Sequence, residues 1–179
     1  MLDSFDALVG AYEKRIYNVA YRILGDADDA ADVTQETFIS AYRSFDRFRG
    51  DAQVYTWLYQ IAVNHCRNRL KRRGRERAVH AESLDAPREG DEEAAPREIA
   101  DTTHAPHTVL EEKEMRKRIL EAVASLPPDY REVVVLREMQ GLAYNEIAAA
   151  TGLSLENVKT RLSRARAMLR RKLGPFVER

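Results

Sequence analysis

An all-α protein built as two small helical domains, joined by a flexible acidic linker, is what the residue pattern implies. Three observations lead there. Apolar residues recur at helical spacing over two long stretches, while strand-like alternation and Val/Thr-rich runs are uncommon. The stretch between them holds Pro87, Gly90, Pro96 and Pro106, many acids and few large apolar groups. Such a composition buries too little surface to fold alone.

The first domain, residues 1–74, begins with Leu8, Tyr12, Ile16, Val19, Ala20 and Ile23, whose spacing predicts an amphipathic helix over 5–24. Gly25 and Asp26 end it, and Asp26, Asp28 and Asp29 give the next helix an acidic start. That helix carries Val33, Phe38, Ile39, Tyr42 and Phe45, and residues 46–51 have turn chemistry. A third helix follows with Val54, Trp57, Leu58, Ile61, Ala62 and His65; Trp57 and Leu58 are expected to be at least partly buried. Residues 75–107 form the linker. Periodicity resumes with Val109, Met115, Ile119, Val123 and Leu126 and stops at Pro127-Pro128; Val133 to Leu136 lie on a further helix and two more complete a second domain over 108–176.

Charge is arranged, although it sums to zero over 29 basic and 29 acidic residues. Arg67, Arg69, Lys71, Arg72, Arg73, Arg75 and Arg77 crowd the end of the first domain, and Lys159, Arg161, Arg164, Arg166, Arg170, Arg171 and Lys172 crowd the end of the second. The linker between them is acidic. Two cationic helices suit a phosphate-bearing partner, because basic side chains displace condensed counterions. There is no apolar run near the roughly 18 residues of a membrane helix and no basic stretch with an apolar core at the N-terminus, so no membrane insertion is expected and the chain reads as cytoplasmic. The single cysteine, Cys66, excludes an internal disulfide. His104 and His107 stand three apart in a Pro-containing segment without a scaffold, and no nucleophile–base order or Gly-rich phosphate loop appears. No catalytic, cofactor or metal site is expected.

The most informative stretch runs from Tyr144 to Leu162. Ala148 supplies the small residue where two steeply crossing helices approach, and Gly152, four positions on, supplies a turn residue tolerant of positive φ. Ile147, Leu153, Val158 and Leu162 are spaced to fill the wedge, and Ser154 is suited to cap the following helix. That helix presents Lys159, Thr160, Ser163 and Arg164 outward, as major-groove reading requires. The pattern predicts a DNA-binding helix-turn-helix.

Residues 32–42 (Asp32-Val33-Thr34-Gln35-Glu36-Thr37-Phe38-Ile39-Ser40-Ala41-Tyr42), Phe48-Arg49-Gly50-Asp51 and residues 55–64 resemble region 2 of the extracytoplasmic-function (ECF) sigma factors. Residues 126–133 (Leu126-Pro127-Pro128-Asp129-Tyr130-Arg131-Glu132-Val133) with the helix-turn-helix resemble their region 4. The resemblance implies a promoter-recognition factor with three partners: core RNA polymerase (its β′ clamp helices and β flap), promoter DNA and an anti-sigma factor. It implies polymerase docking through Asp32, Gln35, Glu36 and Phe38. It implies a pocket for a flipped minus-10 base at Phe48, Arg49, Asp51 and Asn64, with Arg67, Arg69 and Lys71, beside Arg72 and Arg73, on the backbone. Tyr55, Trp57 and Tyr59 are candidates for stacking. Lys159, Thr160, Ser163 and Arg164 match the minus-35 reading surface, with Arg161 and Arg166 on phosphates.

Two departures stand out. Ala143 occupies the place of a capping Ser or Thr, a loss of about 1 kcal/mol to that helix, and the face around Gln60 lacks a basic residue often found there. As no further domain follows region 4, control is expected from outside the chain. The residues alone leave two rivals: a conventional helix-turn-helix repressor or activator that binds a palindrome unaided, and a helical adaptor with no salt-dependent DNA affinity.

Overall fold

The computed structural model describes residues 5–48, 53–83 and 106–177. Among them run seven helices: α1 (Phe5–Leu24), α2 (Ala27–Ser44), α3 (Val54–Ser83), α4 (Pro106–Ala124), α5 (Pro128–Val134), α6 (Tyr144–Thr151) and α7 (Leu155–Val177), with no strand. A 3₁₀ turn, Phe45–Arg47, follows α2, and a π-helical turn, Val135–Met139, extends α5. The fold is all-α. Arg49, Asp51 and residues 84–105 of the expected linker lie outside the described residues, while residues 75–83, where no period is visible in the sequence, continue α3 as helix.

Chain punctuation follows local chemistry. Gly25 takes φ +72°, and its N–H reaches the Tyr21 carbonyl at 2.8 Å, closing α1. Asp26 then caps α2 by accepting from the Asp29 N–H at 2.8 Å. At the other end of the molecule Gly152, φ +71°, closes α6, and Ser154 accepts from the Asn157 N–H at 3.2 Å at the start of α7. Ala143 has no side-chain acceptor for α6. Its own N–H instead donates to Glu146 at 2.7 Å, so half of a capping box survives.

The core is continuous from one end of the chain to the other. Leu8, Ile16, Val19 and Ile23 of α1 meet Val33 and Ala41 of α2 and Leu58, Ala62, Val63 and Cys66 of α3. Val123, Leu126, Val133 to Leu136, Ile147, Val158 and Leu162 extend the same cluster through α4–α7. Each such side chain contributes about 1.5–3 kcal/mol on full burial. Helix α3 is the seam: α1 and α2 pack on one side of it and α6 on another. The helix-turn-helix forms as expected, with Ile147, Val158 and Leu162 buried in its wedge and Leu153 partly buried.

Candidate polymerase and nucleic-acid interfaces

Helix α2 exposes Asp32, Gln35 and Glu36 on one face. Phe38 does not share that exposure. It is 8% exposed, with its ring edge-on to Phe5 at 6.4 Å, whereas Ile39 and Tyr42 are 46% and 68% exposed. These two line a groove between α1 and α2 together with Val9, Tyr17, Gln35 and Phe38. Ile39 and Tyr42, expected from the sequence only as part of the helix's apolar periodicity, are exposed apolar groups of this face; their three-residue spacing on one helical side was the available signal.

Helix α3 presents three different faces. Towards α2, Arg69 fans across Asp29 (3.1 Å), Asp32 (3.5 Å) and Glu36 (3.1 Å). His65 bridges the Ser40 hydroxyl at 3.0 Å and Glu36 at 3.3 Å, and Arg73 pairs with Asp29 and donates to the Leu24 carbonyl. The acidic face of α2 is therefore held in place from behind by α3.

A second face carries Gln60, Asn64 and Lys71, all exposed. Trp57 lies on the same side, seven positions before Asn64, and stacks on Phe48 with ring centroids 4.8 Å apart. Spacings of three, four and seven keep these groups on one stripe. The stripe combines a fixed aromatic platform with a free carboxamide, the equipment for holding an unstacked base.

The third face is covered. The Tyr55 hydroxyl donates to Glu146, and the Tyr59 hydroxyl donates to Gln140 Oε1 at 2.8 Å. Arg67 donates to both oxygens of Glu132 and, from Nη1, to the Thr151 carbonyl at 2.8 Å. Hydrogen bonding to Glu132, the largest influence, raises the Arg67 pKa still further. Arg131 reciprocates, donating to the Ile23 carbonyl of α1 at 2.7 Å, and burial lowers its pKa.

On α7, Thr160, Ser163 and Arg164 are exposed side by side with Lys159, which also reaches Glu156 at 3.0 Å. Arg161 and Arg166 are both paired with acids. Arg161 lies 3.6 Å from both Asp129 and Glu132, and Arg166 holds Glu138 at 2.6 Å and the Tyr144 hydroxyl at 3.4 Å. None of the described helices is long and apolar enough to cross a membrane.

Comparison with known proteins decides what these faces belong to. Residues 8–76 match the family described as Sigma-70 region 2, and residues 116–169 match Sigma-70, region 4. The ECF RNA polymerase sigma-E factor of Escherichia coli (strain K12) is 36% identical, over 98% of this chain and 90% of its own length. The chain belongs to the ECF sigma factors. The RNA polymerase sigma-H factor of Pseudomonas aeruginosa is 35% identical over 97% of the chain and 88% of its own length. Among solved structures, the sigma factor RpoE in complex with the anti-sigma factor NepR, from Bartonella quintana, shares the fold at a TM-score of 0.74 with 23% identity, covering 98% of each chain. CnrH in complex with the cytosolic domain of CnrY aligns at a TM-score of 0.63 with 25% identity, covering 96% of this chain and 88% of CnrH. As a sigma factor, the chain directs core RNA polymerase to promoter DNA and carries no catalytic chemistry of its own. Helices α1–α3 build region 2, which serves the minus-10 element, and region 4, which runs from α4 into α7 and contains the helix-turn-helix of α6 and α7, serves the minus-35 element.

Proposed function

We propose a division of labour by residue. The exposed α2 face of Asp32, Gln35 and Glu36, with Phe38 as the floor beneath it, docks on the β′ clamp helices of core polymerase. A polar, acidic face beside an apolar groove suits a charged coiled coil. The stripe of Phe48, Trp57 and Asn64, with Arg49 and Asp51 of the adjoining loop, receives the flipped minus-10 base. Lys71 and, once free, Arg67 and Arg69 hold the backbone. On α7, Lys159, Thr160, Ser163 and Arg164 read the minus-35 element, while Arg166 braces the helix against Glu138 and Arg161 reaches phosphate only by leaving its acids. Residues 1–74 and 108–176 act as the two working units, with 75–107 between them.

The observation that carries this reading is the placement of Asn64 on the open side of α3, in line with the stacked Phe48–Trp57 pair. Acting with core polymerase, the factor works in the cytoplasm, and an anti-sigma factor is its regulator. Support for the latter comes from two structural relatives: RpoE, seen in complex with the anti-sigma factor NepR, and CnrH, seen in complex with the cytosolic domain of CnrY. Transcription in vitro, with core enzyme on a library of promoters, tests the whole. Specific initiation dependent on the chain is expected, and failure to associate with core enzyme would overturn the reading.

A further inference from the structure

Arg69 stands in the basic run of α3, where its chemistry suits phosphate, yet its guanidinium lies on α2. Nη1 is 3.1 Å from Asp29 Oδ1 and 3.5 Å from Asp32 Oδ2, and Nη2 is 3.1 Å from Glu36 Oε1. Steps of three and four residues put the three carboxylates on one stripe of α2, where like charges repel. A planar guanidinium with five donors reaches all of them at once, whereas a lysine ammonium is a single point of charge.

The three acids are not equally tied. Arg73 also pairs with Asp29, and His65 lies 3.3 Å from the second oxygen of Glu36. Among the described residues, Asp32 pairs with Arg69 alone. The Asp32 and Glu36 side chains are nevertheless 60% and 47% exposed. Each therefore turns an inner edge to α3 and an outer edge to solvent.

We propose that Arg69 is a positioning residue for polymerase docking, holding Asp32 and Glu36 in the orientation that α2 offers to core enzyme before promoter DNA arrives. This inference rests on the proposed docking role of the α2 face. Two carboxylates already held in one rotamer do not have to be ordered when the partner binds, and that saving appears directly in affinity. One guanidinium among three carboxylates offsets their mutual repulsion and leaves the face acidic, as a basic coiled-coil partner requires.

The test measures affinity of the full chain for core polymerase without DNA. Arg69→Lys keeps the charge and loses the fork, and it is expected to weaken core binding by about tenfold. Asp29 keeps Arg73 in this variant, so region 2 is expected to fold, which a urea melt checks. Arg69→Gln needs no charged partner in that covered setting; it is expected to weaken binding as much and guards against misfolding of the lysine variant. The decisive measurement repeats Arg69→Lys in a chain that already carries Asp32→Asn and Glu36→Gln. If Arg69 acts through those two acids, the further loss there is expected to vanish. A loss that persists undiminished in that background would mean a general loosening of region 2 and overturns the proposal. Core affinity unmoved by Arg69→Lys and Arg69→Gln, while Asp32→Asn with Glu36→Gln weakens it, also overturns the proposal and leaves the docking face standing. Core affinity unmoved by Asp32→Asn with Glu36→Gln removes the docking assignment itself, and the positioning role with it.

Discussion

Arg67 on α3 and Glu132 on α5 stand 65 positions apart and meet in a two-pronged ion pair, Nη2 to Oε1 at 2.6 Å and Nε to Oε2 at 3.0 Å. The fork geometry of guanidinium against carboxylate cannot be supplied by lysine. Around this pair the apolar clusters of the two regions merge, so Cys66 and Tyr59 become interior groups.

That burial sets an alkaline limit on stability. The Cys66 thiol is pushed up to about 12, chiefly by burial and then by the charge of Glu132, and the Tyr59 phenol is pushed up to about 12 by burial. In the unfolded chain they ionise at their ordinary values, near 9.0 and 10.0. Between those values and 12 the folded chain holds the protons that the unfolded chain has lost, so stability falls as pH rises through this window and is whole below it. Urea melts at a series of pH values should show the decline, and Cys66→Ala should remove the portion that begins near 9.0. For the same reason a thiol reagent should leave Cys66 unmodified at neutral pH until the chain unfolds.

Asn64→Ala removes the carboxamide from the open stripe of α3 without touching the core. Open-complex formation, followed by permanganate reactivity of the melted strand, should drop while core binding is unchanged. Normal melting by this variant would take Asn64 out of the base pocket.

Arg164 and Arg166 separate reading from bracing. Arg164→Ala should cost about 1–3 kcal/mol of minus-35 affinity and relax preference at one position, with little change in melting temperature. Arg166→Ala should instead loosen the contact of α7 with Glu138 and lower stability, leaving the sequence preference intact. Selection from a randomised minus-35 library, paired with thermal denaturation, distinguishes the two.

The turn motif offers changes of opposite sign. No atom lies within 4 Å of a Cβ placed on Gly152, so Gly152→Ala meets only the backbone cost of φ +71°, roughly 1–2 kcal/mol of destabilisation. Ala143 already has extended backbone geometry at the start of α6, φ −69° and ψ 159°, so Ala143→Ser should add the missing acceptor and stabilise by about 1 kcal/mol. Denaturant titration of both variants gives the signs directly.

The helices were legible because apolar spacing, Gly25, Asp26, Gly152 and Ser154 are local signals that act through the first turn or the wedge. The faces of α3 were not. Tyr55, Tyr59 and Arg67 have the chemistry of nucleic-acid contacts, and chemistry gives the kind of partner without saying whether Glu132 or a phosphate fills the place. A trace did exist: Glu132 is the one acid heading a run of Val133, Val134, Val135 and Leu136, a setting that demands an ionic partner. Phe38 illustrates a rotational limit, since one residue turns a helix by about 100° and so separates this buried ring from exposed Ile39. Arg49 and Asp51 remain expectations for the base pocket.

The wide turn at Val135–Met139, where the Gln140 N–H reaches back to the Val135 carbonyl at 3.2 Å, accommodates one more residue than an α-helical turn would. Gln140 owes its heading towards Tyr59 to that surplus residue. Deleting a single position within the turn would swing the following side chains round the axis by about 100°. A change of length at this spot would therefore alter how firmly the two halves of the chain hold together while leaving every interface residue in place.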